Sequence, residues 1–118
     1  MNFPDAVKSV YSQYVTFSGR SLRSEYWYFV LFYFIVGIVL SALGFAIGLP
    51  GILENLFYLA SFLPFLGVAI RRLHDVDRSG WWVLIPLTII GIIPYLYWVI
   101  KEGDSGENRF GPAPTPSA

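Results

Sequence analysis

Tyr26-Trp27-Tyr28-Phe29-Val30-Leu31-Phe32-Tyr33-Phe34-Ile35-Val36-Gly37-Ile38-Val39-Leu40-Ser41-Ala42-Leu43-Gly44-Phe45-Ala46-Ile47-Gly48 contains no charged residue. As a helix rising ~1.5 Å per residue it reaches roughly 34 Å, enough for a hydrocarbon core of about 30 Å. The stretch starts too late and runs too long for a signal peptide, whose apolar region spans about 7–15 residues close behind a basic start. It reads as an uncleaved anchor.

The same segregation extends outward. Charge is absent from Tyr26 to Leu53, from Asn55 to Ile70 and from Ser79 to Ile100, so every acidic and basic residue of the 118-residue chain falls elsewhere. With 55% hydrophobic and 14% charged residues, against about 25% charged in a soluble domain, the chain lacks the polar residues to cover a globular surface. A soluble enzyme with a large core is excluded, and a net charge of zero gives no sign of nucleic-acid binding. The absence of cysteine removes disulfides, thiol catalysis and cysteine-held metals.

The second span is predicted over 50–70, with Pro50 at its first turn and Glu54 near the positive end of the helix dipole, within reach of water. The third is predicted over 81–100, from the cap-like Ser79-Gly80 through Trp81-Trp82 to Tyr95, Tyr97 and Trp98, an aromatic belt at each interface. Ahead of the first span, Phe3, Val7, Val10, Tyr11, Tyr14 and Val15 share one helical face opposite Lys8, Ser9 and Gln13. This predicts an amphipathic helix over 3–18, capped by Asn2, lying in the interface or packed on the span ends. The tail, 101–118, is turn-rich from Gly103 to Asn108 and extended from Gly111 through Pro116. The expected fold is therefore a single all-α integral membrane domain: three transmembrane helices, the N-terminal amphipathic helix and an irregular tail.

Lys and Arg set its orientation. Lys8, Arg20, Arg23, Arg71, Arg72 and Arg78 fall on one side, Lys101 and Arg109 on the other, and the loop between the first two spans has none. The positive-inside rule places the N-terminus and the 71–78 loop in the cytoplasm, and three spans place the tail outside.

Three groups of residues carry possible functions. Gly37, Ser41, Gly44 and Gly48 form a small-residue stripe on the first span, suited to close packing against the second span or another copy. Pro64, Pro86 and Pro94 interrupt the later spans; they occur in membrane helices generally and also where a pore is lined. The densest chemistry is a two-signed collar of Arg20, Arg23, Glu25, Arg71, Arg72, His74, Asp75 and Arg78, in which Arg71 and Asp75 stand at i and i+4. It is read as a topology anchor ordered by salt bridges, as a site for anionic lipid headgroups, or as an acid–base or metal site built on His74, Asp75 and Asp77. The last lacks a nucleophile or third ligand, so neither catalysis, metal nor cofactor is expected.

Phe17-Ser18-Gly19-Arg20-Ser21-Leu22-Arg23-Ser24-Glu25-Tyr26-Trp27, Arg71-Arg72-Leu73-His74-Asp75 with Arg78-Ser79-Gly80-Trp81-Trp82, and Gly106-Glu107-Asn108-Arg109-Phe110-Gly111-Pro112 resemble, in order, the signatures of a small bacterial inner-membrane family known as domain of unknown function 805. The resemblance implies a multi-span plasma-membrane protein with no assigned reaction, and points to Arg20, Arg23, Glu25, Tyr26, Trp27, Arg71, Arg72, His74, Asp75, Ser79, Gly80, Trp81, Asn108, Arg109 and Gly111. It also carries a tension: a tail that belongs with the collar should be cytoplasmic.

The function expected is a non-catalytic structural or interaction module whose collar engages anionic headgroups or a partner membrane protein. The alternative is a small transporter or channel subunit that uses the proline-broken spans and Glu54.

Overall fold

A computed structural model describes residues 2–87 and 90–114. In chain order it has α1 (Phe3–Ser12), α2 (Arg23–Ala46), α3 (Ile52–Asp75), a 3₁₀ segment (Gly80–Leu87) and α4 (Ile92–Ile100). Among the described residues all regular structure is helical, apart from an isolated antiparallel bridge between Asn108 and Gly111. Thr88 and Ile89, inside the expected third span, and residues 115–118, in the expected extended end, lie outside the described residues.

α1 begins as its sequence dictates: the Asn2 side chain accepts the Asp5 amide at 2.9 Å, Pro4 occupies the first turn, and Asp5 meets the positive helix end. It stops at Ser12 rather than residue 18, which leaves Tyr14 and Val15 exposed instead of on the apolar face. The early stop frees the Gln13 and Thr16 carbonyls, and the Arg71 guanidinium takes both, at 3.2 and 2.6 Å. A cation at a helix C-terminus also meets the negative end of its dipole. Ala6 and Val10 are buried, Phe3 meets Tyr28 edge-on, and the Tyr11 hydroxyl bonds Ser61 of α3 at 2.7 Å. The helix thus packs on α2 and α3.

Among the described residues, α2 and α3 are the two helices long and apolar enough to cross a membrane. Each has 24 residues, hence roughly 36 Å. Phe29, Tyr33 and Phe65 interlock edge to face between them, with Val68, Ala69 and Val99 completing the buried centre. Only 17% of the apolar stretch of α2 is buried, and Ile38, Phe45 and Leu59 stand outward. Such a surface suits lipid and not water. The helices are joined by a turn in which Gly48 and Gly51 take left-handed φ of +81° and +85°. α3 opens at Ile52, continues through Pro64 and runs past Ile70 to Asp75, so the collar's Arg71-Arg72-Leu73-His74-Asp75 is helical.

The expected single helix over 81–100 is not what forms. The run is divided into an eight-residue 3₁₀ segment, roughly 16 Å long, and the nine-residue α4, roughly 14 Å. Neither piece spans about 30 Å. The cause is in the backbone: in a continuous helix Pro86 and Pro94 would each forfeit a hydrogen bond, and Gly91 weakens the helix between them. Pro94 falls instead in the first turn of α4, where no N–H is needed. Both outer ends of the run lie at the collar. Gly80 sits against Ile70 and His74, while the Val99 carbonyl accepts from Trp27 Nε1 at 2.9 Å and from Arg72 Nε at 3.2 Å. Trp82 and Trp98 meet edge-on between the two arms at 5.5 Å.

Candidate functional site

The collar assembles at one end of the α2–α3 pair, around arginines that serve carbonyls of the chain itself. Arg71 and Arg72 are 1% and 0% exposed, and Asp75 is 3% exposed. Arg71 crosses to the α1 side. Its Nη1 holds the end of α1, its Nε donates to Ser21 Oγ at 3.0 Å, and its Nη2 lies 4.0 Å from Glu25 Oε1. Glu25 in turn accepts from the Ser9 hydroxyl. Arg72 turns the other way, donating to the Val99 and Lys101 carbonyls at the end of α4, to Ser21 O and to the Asp75 carboxylate. Two successive arginines on α3 therefore hold the C-terminal ends of two different helices.

Asp75 is the shared anion. Its Oδ1 accepts from Arg20 Nε at 2.9 Å, and Oδ2 pairs with Arg72 three residues back. The expected i, i+4 pair between Arg71 and Asp75 does not form, because Arg71 points toward Glu25 and Ser21. Arg20 then reaches the tail, donating to Asp104 O at 2.6 Å, Gly106 O at 2.7 Å and Gly111 O at 3.1 Å. A planar guanidinium with five donors suits this work, since it can satisfy several carbonyls of irregular chain at once.

The tail is thus part of the collar and packs beside the 71–78 loop. Asn108 Nδ2 donates to His74 O at 2.9 Å, and Asp104 N to Asp75 O at 2.9 Å. The Phe110 ring lies flat on His74, centroids 3.9 Å apart at 3°. Gly103 passes so close that any Cβ there would overlap the Asp75 carboxylate. His74 Nδ1 donates to Gly19 O at 2.8 Å. Ser21, Gly103, Asp104 and Phe110 had no mark as site residues in the sequence reading beyond their place in or beside the motifs, and backbone carbonyls have none at all.

The remaining cations form an outer rim. Arg23 donates to Ile100 O at 3.3 Å, Arg78 lies over the Trp98 ring at 5.2 Å, and Arg109 pairs with Asp77 at 3.2 Å in solvent. The small-residue stripe is divided. Gly37 and Gly44 are buried, Gly37 against the Tyr58 hydroxyl of α3, whereas Ser41 is exposed and Gly48 belongs to the turn. Among the described residues no group of three His, Asp or Glu side chains is placed to hold a metal ion. Arg20, Arg71 and Arg72 are buried against the chain, so a direct headgroup contact by them is not part of this conformation.

A family model described as "Protein of unknown function (DUF805)" matches residues 14–112, a span that contains the whole collar. Inner membrane protein YhaI of Escherichia coli (strain K12) is 47% identical over 113 residues, covering 90% of this chain and 92% of the relative. Inner membrane protein YhaH of the same strain is 43% identical over 116 residues, covering 89% and 92%. No solved structure matches.

Proposed function

Because this chain belongs to the DUF805 family, we propose that it is a non-catalytic structural or interaction module of the bacterial inner membrane, with α2 and α3 crossing the bilayer and the third apolar run entering and returning on one side. What supports this topology is that the run is too short in either piece to cross, and that its two outer ends meet at the collar. The N-terminus, the loop after α3 and the tail then share the cytoplasm. All eight Lys and Arg lie on that side and none in the α2–α3 turn, the asymmetry that sets orientation.

The observation that carries the structural reading is that Arg20, Arg71 and Arg72 direct their hydrogen bonds to Asp75 and to carbonyls of the protein itself. A site for substrate would aim such groups at a cleft. The partners are membrane lipids, met by the rim cations Arg23, Arg78 and Arg109, each worth about 1 kcal/mol near an anionic leaflet. Two experiments test the proposal. Fusions that report cytoplasmic or external location, placed after Ala118, should report cytoplasm; external location overturns the topology. The triple variant Arg23→Gln, Arg78→Gln, Arg109→Gln should retain several-fold less phosphatidylglycerol on purification, and unchanged retention overturns the headgroup role.

A further inference from the structure

A cleft of about 400 Å³ opens between the later half of α3 and the 3₁₀ segment, with no Lys, Arg, Asp or Glu among the described residues that line it. Its walls are mostly apolar, with Phe17, Leu66, Ile70 and Leu84 among them, and His74 and Ser79 line it as well. Size and character match small-molecule sites, which run from about 300 to 1,000 Å³ and combine apolar walls with a few fixed polar groups.

The histidine in this cleft is held in one orientation. A carbonyl only accepts, so the 2.8 Å contact to Gly19 O puts a proton on Nδ1, and the stacked Phe110 ring fixes the imidazole plane. Nε2 is left at the other edge beside Gly80, itself part of the cleft wall, where a Cβ would come within 3.4 Å of it. In the neutral ring this nitrogen is a hydrogen-bond acceptor. Ser79 Oγ receives the Trp81 amide at 3.4 Å, which leaves its own hydrogen to donate. One acceptor and one donor in an apolar slot complement a hydroxyl, which both gives and takes a hydrogen bond.

We infer that this cleft binds an uncharged amphiphile through a terminal hydroxyl, which donates to His74 Nε2 and accepts from Ser79, while the hydrocarbon part lies along the apolar wall. Among the described residues no Lys or Arg lines this slot to pair with an anionic phosphate, so the site is separate from the rim proposed above, and either can fail without the other. The hydroxyl can belong to a long-chain alcohol or to a diacylglycerol.

The chain has one histidine, so labelling with ¹⁵N-histidine gives a single pair of ring resonances. The full chain in dodecylphosphocholine micelles, which carry no hydroxyl, is titrated with 1-dodecanol, with dodecyl methyl ether and with dioctanoylglycerol. The expected result is a saturable upfield shift of the His74 Nε2 resonance with dodecanol and at least tenfold weaker response to the ether. Ser79→Ala should weaken the dodecanol response roughly two- to tenfold. Leu84→Trp, a change at a half-exposed wall position that blocks the slot, should abolish it while leaving the Nδ1 resonance in place. A tighter response to dioctanoylglycerol assigns the ligand to glycerolipids and a weaker one to single-chain alcohols, and both support the site. Equal response to alcohol and ether, no response to either hydroxyl compound, or an Nε2 already protonated without ligand overturns it.

Discussion

At the collar end of the α2–α3 pair, Arg20, Arg71, Arg72, Glu25 and Asp75 are buried together and tie α1, α4 and the tail to α3. At the other end the chain reverses through local backbone bonds, Ile47 N to Leu43 O at 3.1 Å and Leu49 N to Gly44 O at 2.7 Å, on two left-handed glycines. Its one carboxylate, Glu54, has Oε2 buried without a hydrogen-bond partner. The difference follows from what each end must satisfy. A tight turn closes its own carbonyls, whereas the collar collects irregular segments that leave theirs open, and a guanidinium is the side chain that can serve several together.

That contrast breaks most severely at Asp75. Asp75→Asn leaves Arg20 and Arg72 buried without their anion and should cost about 3–5 kcal/mol in unfolding measured in micelles. A loss under about 1 kcal/mol would mean that the carbonyls alone hold the arginines. At the opposite end Gly48→Ala forces a side chain into the left-handed region and should cost about 1–2 kcal/mol by the same measurement. A cost equal to that of Asp75→Asn would erase the distinction between the two ends. The smallest effect belongs to the rim: Arg109→Gln removes a solvent-exposed pair with Asp77 and should cost at most about 1 kcal/mol, vanishing at 1 M salt. A larger, salt-insensitive loss would place Arg109 with the buried group.

Much of this was legible in the sequence. The charge-free runs locate α2 and α3, Asn2 and Pro4 locate the start of α1, and every collar residue named from the sequence lies in the collar or on its rim. The third run does not form the single helix its hydropathy suggests, because hydropathy counts side chains, while Pro86, Gly91 and Pro94 act through the backbone. The place of the tail follows from neither hydropathy nor charge count: its Asn108 and Gly111 belong with His74 and Arg20. The partners of the arginines were hidden for a different reason. They are mostly carbonyls, which every residue carries and no sequence pattern marks, so Arg71 looked suited to Asp75 when Thr16 and Gln13 were the groups it served. The fit of Gly103 against Asp75 and of Phe110 on His74 depends on the return of the tail to the collar.

The bond from Arg20 to the Gly111 carbonyl spans 91 positions of the chain. At roughly 5–20 residues per second of synthesis, Arg20 waits about 5–18 s for that partner to be made. Through that interval Arg71 already has Gln13, Thr16 and Ser21, and Asp75 can pair with Arg72, while Arg20 still lacks its carbonyls in the tail. The collar is therefore completed last at Arg20, where carbonyls of Asp104, Gly106 and Gly111 reach a side chain made near the start of the chain.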